Sequence, residues 1–248
     1  MKTLMIFVSS ICFSLYASEA TDTNEQRESF WSQLGQELAS PVTTKANLIL
    51  AGSLVAGGMV YLSQGRRAYD KRESFKDARP LGNYGFIGET IGWGYLNALY
   101  FIGHMSYGLY NANEVSIEAS EHMFKASLYT LMATGALKTI IKEKRPGYPE
   151  DRASFPSGHS SMSFAFASVV ASRHGWAYGS MAYGVATYIS ISRINDDWHY
   201  LHDILIGMGI GASYGWGLHY AYANGLPYQF TLMPLPKMGL GVLVSFDY

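Results

Sequence analysis

Three short motifs in one stretch of the chain bring together residue types that handle phosphate. They are, in order, Lys138-x6-Arg145-Pro146, Pro156-Ser157-Gly158-His159 and Ser192-Arg193-x5-His199-x3-Asp203. Their cations, histidines and carboxylate are the groups that a metal-free phosphoryl-transfer site needs, because such transfer depends mainly on positioning and on electrostatic stabilisation. The motifs therefore predict a site that binds and transfers a phosphoryl group.

The cations suit phosphate in two different ways. Lys138 supplies a point charge, whereas Arg145 and Arg193 carry planar guanidinium groups that bond two phosphate oxygens at a time. The alternative for the first motif is a solvated basic helix end, because further lysines lie between Lys138 and Arg145 and Pro146 would end the helix. Both interpretations are compatible with the sequence of this motif.

The second motif precedes an apolar run that predicts a helix. Ser157 is then expected to cap the helix, and Gly158 leaves the backbone bare beside it. The free N–H groups at a helix N-terminus, together with the helix dipole, favour an anion. The alternative is an ordinary serine cap, with His159 in the first turn by chance.

The third motif predicts a nucleophile and its partner. His199 and Asp203 are four residues apart, so on a helix they would share one face. The carboxylate could hold one imidazole nitrogen protonated and leave the other free to attack phosphorus. His159 would then protonate the leaving oxygen and later activate water. The alternative is a core histidine that pairs with Asp203 for structural reasons.

A metal site is not expected. His199 and His202 could pass for a metal-binding pair, but the chain has no HExxH sequence and no cysteine nearby. We therefore predict a site without a metal ion or other cofactor.

These residues resemble the three motifs of the type 2 phosphatidic acid phosphatase superfamily, which includes membrane lipid phosphatases, bacterial class A acid phosphatases and vanadium haloperoxidases. The resemblance covers Lys138 to Asp203, and every motif position is filled. It implies that phosphate is bound by Lys138, Arg145, Ser157, Gly158 and Arg193. It also implies a general acid at His159, a phosphohistidine at His199, a charge partner at Asp203 and no metal.

Composition limits the classes of partner. The chain has 248 residues and a formal net charge of −1, so nothing in its charge favours nucleic-acid binding. Hydrophobic residues make up 48% and charged residues only 15%, which is below the usual quarter. Such a chain either buries most of itself or lies against lipid.

The first 20 residues resemble a secretory signal. Lys2 precedes an apolar stretch, and Ser18-Glu19-Ala20 provides a small-x-small cleavage site. The apolar stretch is short for a membrane anchor. We therefore predict a signal peptide at 1–20, a single phosphatase domain at 21–248 and export to the periplasm of a bacterium.

The hydrophobic pattern predicts a mainly α-helical bundle with about six core helices. An amphipathic helix is expected at 21–40 and a solvated charged loop at 64–80. Core helices are expected at 46–62, 86–110, 119–142, 159–173, 176–192 and 201–222. The motifs would then lie at helix ends and converge at one mouth of the bundle.

Two further features concern packing and the C-terminus. Gly207, Gly211 and Gly215 recur every fourth residue, which predicts the close approach of a neighbouring helix. The segment 229–248 contains two prolines followed by alternating apolar residues, so we expect a short β-like tail.

The helical runs alone do not decide how the chain meets the membrane. A cleaved signal followed by consecutive spans would place Lys138 and Arg145 on the cytoplasmic side, whereas the resemblance implies an outer-facing site. We therefore expect a periplasmic, membrane-associated domain, with an integral inner-membrane protein as the alternative.

The expected function is hydrolysis of a membrane lipid or prenyl phosphate through a phosphohistidine. The alternatives are a phosphatase for small soluble phosphates, a vanadium-dependent haloperoxidase and a non-enzymatic envelope scaffold.

Overall fold

The described part of the chain folds into a bundle of α-helices. The computed structural model describes residues 31–63 and 79–223, and the bounds of two helices extend beyond these ranges. The helices are α1 (Thr23–Thr43), α2 (Asn47–Ala78), α3 (Gly85–Ile91), α4 (Tyr95–Asn111), α5 (Glu114–Ile141), α6 (Gly158–His174), α7 (Trp176–Asn195) and α8 (Leu201–Ala223). A 3-10 turn, Gly82–Tyr84, precedes α3. No strand occurs within the described residues, and the predicted mainly helical fold is confirmed.

Two predictions fall on other parts of the chain. The expected signal peptide at 1–20 and the expected β-like tail at 229–248 lie outside the described residues, and both remain predictions. The loop expected at 64–80 is wrong, because helix α2 continues to Ala78.

Helix α6 lies at the centre of the bundle and packs against α5, α7 and α8. Small side chains make this possible, because an added Cβ at Gly211 of α8 would collide with the carbonyl oxygen of Ser161 on α6. At Gly207 it would lie 2.6 Å from the carbonyl oxygen of Ser157. The recurring glycines therefore allow the predicted close approach, and the helix that approaches carries the second motif.

The single helix predicted at 86–110 is wrong, because the structure has two helices there. Helix α3 ends at Ile91 and α4 begins at Tyr95. Gly94 between them has φ +88°, a left-handed conformation that favours glycine and interrupts a helix. The apolar pattern runs through this break, so the pattern could not reveal it.

Among the described helices, none is by itself long and apolar enough to be a candidate membrane span. Trp31–Thr43 and Asn47–Ser63 meet that criterion only as a pair, and they are bent by 54° relative to each other.

Candidate active site

All the residues singled out in the three motifs lie at ends of helices or in the linkers between them. Lys138 is in the last turn of α5, and Arg193 is in the last turn of α7. Ser157 caps α6 at its N-terminus, and Asp203 is in the first turn of α8. Arg145 and His199 lie in the linkers that precede α6 and α8. The predicted arrangement at helix ends is therefore what the structure shows.

Backbone hydrogen bonds hold these linkers together. The N–H groups of Trp198 and His199 both donate to the carbonyl oxygen of Arg193, at 3.0 and 3.2 Å. The Ser157 N–H donates to the carbonyl oxygen of Asp203 at 3.0 Å, which joins the second motif to the third. The five residues between Arg193 and His199 thus include a linker that folds back on the end of α7.

His199 and Asp203 are close together, but not because they share a helix. His199 precedes α8, which begins at Leu201, so the helical placement predicted for this pair is wrong. The imidazole Nδ1 lies 3.5 Å from Asp203 Oδ2, and both side chains are buried. The Tyr200 N–H donates to the same oxygen at 2.9 Å, so Asp203 holds the end of the linker.

The other ring nitrogen of His199 faces a cation. Arg145 Nη1 lies 3.2 Å from His199 Nε2. A guanidinium can only donate, so Nε2 accepts and carries a lone pair, while the ring proton is on Nδ1 towards Asp203. Burial lowers the pKa of His199 to about 4, although Asp203 opposes this shift. The imidazole is therefore neutral near pH 7, with Nε2 in the nucleophilic form.

Asp203 is held from several sides. Ser154 Oγ donates to Oδ2 at 2.6 Å, and His202 Nε2 lies 3.1 Å from Oδ1. Burial alone would raise the pKa of Asp203, but the hydrogen bonds from His199 and His202 outweigh it and hold the pKa well below its usual range. Asp203 is therefore ionised near pH 7, and its neighbours hold the carboxylate in place.

His159 lies against α3 and the break that follows it. Its Nε2 is 3.0 Å from the carbonyl oxygen of Glu89, which can only accept, so Nε2 carries a proton. An added Cβ at Gly92 would collide with the His159 ring, and Trp93 contacts that ring edge-on at 5.2 Å. Burial, and next the charge of Arg193, lower the pKa of His159 to about 3. The His159 ring is therefore neutral near pH 7 in the protein without a bound anion.

The other two cations differ in how they are satisfied. Lys138 Nζ donates to the carbonyl oxygen of Ala153 at 2.5 Å. Burial and the neighbouring Arg145 lower the pKa of Lys138 to about 8. Arg193 is buried, and its Nε and Nη1 have no hydrogen-bond acceptor among the described residues. The Glu89 carboxylate lies 4.0 Å from Nη1, which is beyond hydrogen-bond distance.

The N-terminus of α6 has the features predicted for an anion site. The Ser157 hydroxyl accepts from the Ser160 N–H at 3.4 Å, so the predicted cap is present, although the hydrogen bond is long. A Cβ added at Gly158 would find Lys138 Cε as its nearest neighbour, at 3.9 Å. Gly158 therefore faces the same space as Lys138, and a larger side chain would extend towards that lysine.

One cluster within the described residues has the composition of a metal site. Ligand atoms of Glu143, His202 and Asp203 lie within 4.8 Å of one another. His202 Nε2 is 3.1 Å from both oxygens of Glu143 and 3.1 Å from Asp203 Oδ1, so the three groups already pair with each other. Burial lowers the pKa of His202, but the bonds with Asp203 and Glu143 outweigh it and raise the pKa to about 9. The three side chains are thus close together because a protonated His202 lies between the carboxylates of Glu143 and Asp203.

Two residues of the site were not predicted from the sequence. The indole ring of Trp198 lies 5.0 Å from the guanidinium carbon of Arg145 and 5.3 Å from that of Arg193, which holds the two cations on one aromatic ring. Ser154 donates to Asp203, as described above. Trp198 is adjacent to His199 in the sequence, a position that could have suggested its role, whereas the sequence around Ser154 offered no signal.

Known proteins resemble this chain in sequence and in fold. Residues 123–226 match the model of the PAP2 superfamily, a range that contains all three motifs. The crystal structure of LpxE from Aquifex aeolicus superposes with a TM-score of 0.50 at 24% identity, covering 61% of this chain and 94% of that one. No curated protein matches the chain.

A second crystal structure is that of the first transmembrane PAP2 type phosphatidylglycerolphosphate phosphatase from Bacillus subtilis. It superposes with a TM-score of 0.52 at 18% identity, covering 71% of this chain and 96% of that one. At these identities the likeness concerns the fold.

Proposed function

We propose, from the match of residues 123–226 to the model of the PAP2 superfamily and from the geometry of the site, that the protein is a metal-independent phosphatase acting through a phosphohistidine at His199. The observation that carries the proposal is Arg193, a buried guanidinium whose Nε and Nη1 have no acceptor among the described residues. Buried N–H groups of a guanidinium that lack hydrogen-bond acceptors are costly. An anion that binds between Arg193, Arg145 and Lys138 would supply the missing oxygens.

In the first step His199 Nε2 attacks phosphorus and the bond from phosphorus to the leaving oxygen breaks. Asp203 stabilises the positive charge that develops on the ring, as a carboxylate does beside a nucleophilic imidazole. Arg145, which donates to Nε2 in this structure at 3.2 Å, would move to a phosphate oxygen and release the lone pair.

His159 would supply the proton that the leaving oxygen takes up. Its ring is neutral in the free protein because burial and Arg193 disfavour the charged form. A phosphate dianion bound among the cations favours the protonated ring. In the second step His159 would take a proton from water, whose oxygen attacks the phosphohistidine and releases inorganic phosphate.

A lipid or prenyl phosphate is the substrate class that the surface supports best. Trp93, beside His159, is 68% exposed, and Tyr148, stacked on Trp198 at 4.2 Å, is 46% exposed. Large apolar side chains are also exposed on the outer faces of several helices, for example Leu48, Ile140 and Trp176. Such surfaces are uncommon on proteins that meet only water, so we place the protein at a bacterial membrane.

Export completes the proposal. A signal peptide at 1–20 would deliver the single domain 21–248 to the periplasm, where the membrane surface carries its substrate. The Bacillus subtilis protein of similar fold is named as a transmembrane phosphatase of phosphatidylglycerolphosphate, which supports a phospholipid as one substrate to test.

Phosphate release in EDTA tests the mechanism. Wild type and His199→Ala are offered phosphatidic acid, a prenyl pyrophosphate and a soluble aryl phosphate. We expect release by wild type in EDTA, a preference for a lipid, and a loss of at least about a thousandfold in His199→Ala because the nucleophile is missing. Release that survives the substitution would contradict the proposal, and vanadate-dependent halide oxidation exceeding phosphate release would favour a haloperoxidase.

A further inference from the structure

Two ionisable residues, one buried and one half-buried, occupy motif positions to which no role has been given. Glu143 lies among the six residues between Lys138 and Arg145, and His202 lies among the three between His199 and Asp203. The His202 side chain is 4% exposed and the Glu143 side chain 23%. The two side chains meet, since His202 Nε2 is 3.1 Å from both oxygens of the Glu143 carboxylate.

This pair contacts Asp203 on the side opposite the proposed nucleophile. His202 Nε2 lies 3.1 Å from Asp203 Oδ1, whereas His199 Nδ1 faces Oδ2. The contact with Oδ1 is an ion pair, and rotation of the carboxylate about its Cβ–Cγ bond would move Oδ1 away from the protonated His202 ring. The orientation of Oδ2 towards His199 therefore depends on what holds Oδ1.

Glu143 acts on Asp203 through its backbone as well. The Ser154 N–H donates to the Glu143 carbonyl oxygen at 3.0 Å, and the Ser154 hydroxyl donates to Asp203 Oδ2 at 2.6 Å. Glu143 thus positions a group at each oxygen of Asp203. Its side chain holds the His202 cation beside Oδ1, and its backbone holds the Ser154 hydroxyl, which donates to Oδ2.

We propose that His202 and Glu143 are positioning residues, which fix the Asp203 carboxylate so that it orients His199 for attack on phosphorus. The inference rests on the proposed function, because it gives His199 the role of nucleophile. Neither residue would touch the substrate, since both lie behind Asp203.

Stability alone is a weak reason for such a cluster. Burying two carboxylates and an imidazole costs desolvation energy that their attraction often fails to recover. Aromatic rings complete the surroundings of His202: Tyr61 at 5.2 Å, Tyr200 at 5.4 Å and Phe155 at 6.2 Å between ring centroids. An apolar residue at 202 would therefore pack among these rings. A variant of this kind can test the role of His202 in catalysis without leaving a cavity.

The test compares four variants on a soluble aryl phosphate in EDTA. His202→Leu removes the cation beside Oδ1, His202→Gln retains an N–H donor, and Glu143→Ala removes the support of His202. Glu150→Ala is the matched control, because Glu150 is an exposed carboxylate of the same linker. We measure kcat, KM, inhibition by inorganic phosphate and the unfolding midpoint of each.

We expect His202→Leu to lower kcat by about tenfold or more, because a displaced orienting group costs rate out of proportion to the displacement. KM and inhibition by inorganic phosphate should change by less than about twofold, since the cations that bind phosphate are unaltered. His202→Gln should recover most of the loss, Glu143→Ala should fall between the two, and Glu150→Ala should equal wild type.

The outcomes separate this inference from the proposed function. Wild-type kcat in both His202→Leu and Glu143→Ala, with activity lost in His199→Ala, would overturn the positioning role and leave the phosphatase intact. Equal losses in His202→Leu and His202→Gln, accompanied by weaker phosphate inhibition, would indicate a structural role and also overturn it. Activity that EDTA removes and Zn²⁺ restores in wild type, but not in His202→Gln, would assign the cluster to a metal instead.

Discussion

At the scale of single residues, neighbouring charges decide which protons the site carries. His199 and His159 are both neutral because they are buried near cations, whereas His202 is protonated because it lies between two carboxylates. Three histidines within one site thus have pKa values of about 3, 4 and 9. Differences of this kind are expected where one group must attack, another must transfer a proton and a third must stay charged.

The pKa of Lys138 leads to a prediction about pH. Burial and Arg145 lower this pKa to about 8, so the lysine is charged below that pH and loses its charge as pH rises through it. Because binding of a phosphate requires the charged form, kcat/KM should fall above about pH 8. In Lys138→Arg the cation persists at all assay pH values, and the basic limb of the profile should move to higher pH.

The control for this measurement is Lys144→Arg. Lys144 is an exposed lysine of the same segment, and its replacement should leave the profile unchanged. A basic limb at the same pH in wild type and Lys138→Arg would show that another group causes it.

At the scale of elements, the break between α3 and α4 places a wall against the proposed general acid. Helix α3 supplies the Glu89 carbonyl oxygen that accepts from His159, and Gly92 directly after it leaves room for the ring. Helix α3 packs against α7, whose last turn carries Arg193. Helix α3, which contains no motif residue, therefore contacts both His159 of the second motif and the helix that carries Arg193 of the third.

Gly92→Ala tests the importance of this contact. The added methyl would collide with Cδ2 of His159, so the ring must move and kcat should fall by about tenfold or more, since a small misplacement of a catalytic group is costly. Gly103→Ala is the control, because a Cβ at Gly103 of α4 meets nothing within 4 Å.

Activity of Gly103→Ala should equal that of wild type, and its helix should be slightly more stable because alanine is the better helix former. Equal kcat in Gly92→Ala and wild type would show that His159 does not need its present position.

At the scale of the whole molecule, a buried ion pair ties α1 to the bundle. Lys125 of α5 lies 2.7 Å from Glu37 of α1, and the Tyr129 hydroxyl donates to the other Glu37 oxygen at 2.5 Å. Both members of the pair are almost fully buried. Since α1 also packs against α8, this pair supports the helix that carries Asp203.

Lys125→Met should reduce the free energy of unfolding by about 3–5 kcal/mol, because it leaves the Glu37 carboxylate buried without its cation. The measurement is the denaturant midpoint of the purified protein. Lys45→Met, at an exposed position, should change the free energy by no more than about 0.5 kcal/mol. The double variant Lys125→Met with Glu37→Leu should recover part of the loss. If Lys125→Met were as stable as Lys45→Met, the ion pair would have no role in stability.

Local signals in the sequence predicted the residues of the candidate site and most of the helices. Helices α6, α7 and α8 were predicted to within a few residues, because apolar runs bounded by serine, glycine and charged residues are local signals. The convergence of the motifs followed from their position at helix ends. Ser157 was predicted as a cap for the same reason, since capping depends on adjacent residues only.

The tertiary structure alone decided how those residues face one another. The apolar pattern at 86–110 did not reveal the break between α3 and α4. Gly92 in this break is needed because its neighbour is the His159 ring, which belongs to a helix that is distant in the sequence. His199 reaches Asp203 from a linker that folds back on Arg193, not from a shared helix face. The roles of Trp198, Ser154 and the Glu143–His202 pair depend on long-range contacts. Such contacts are set by how helices pack, and no local spacing encodes them.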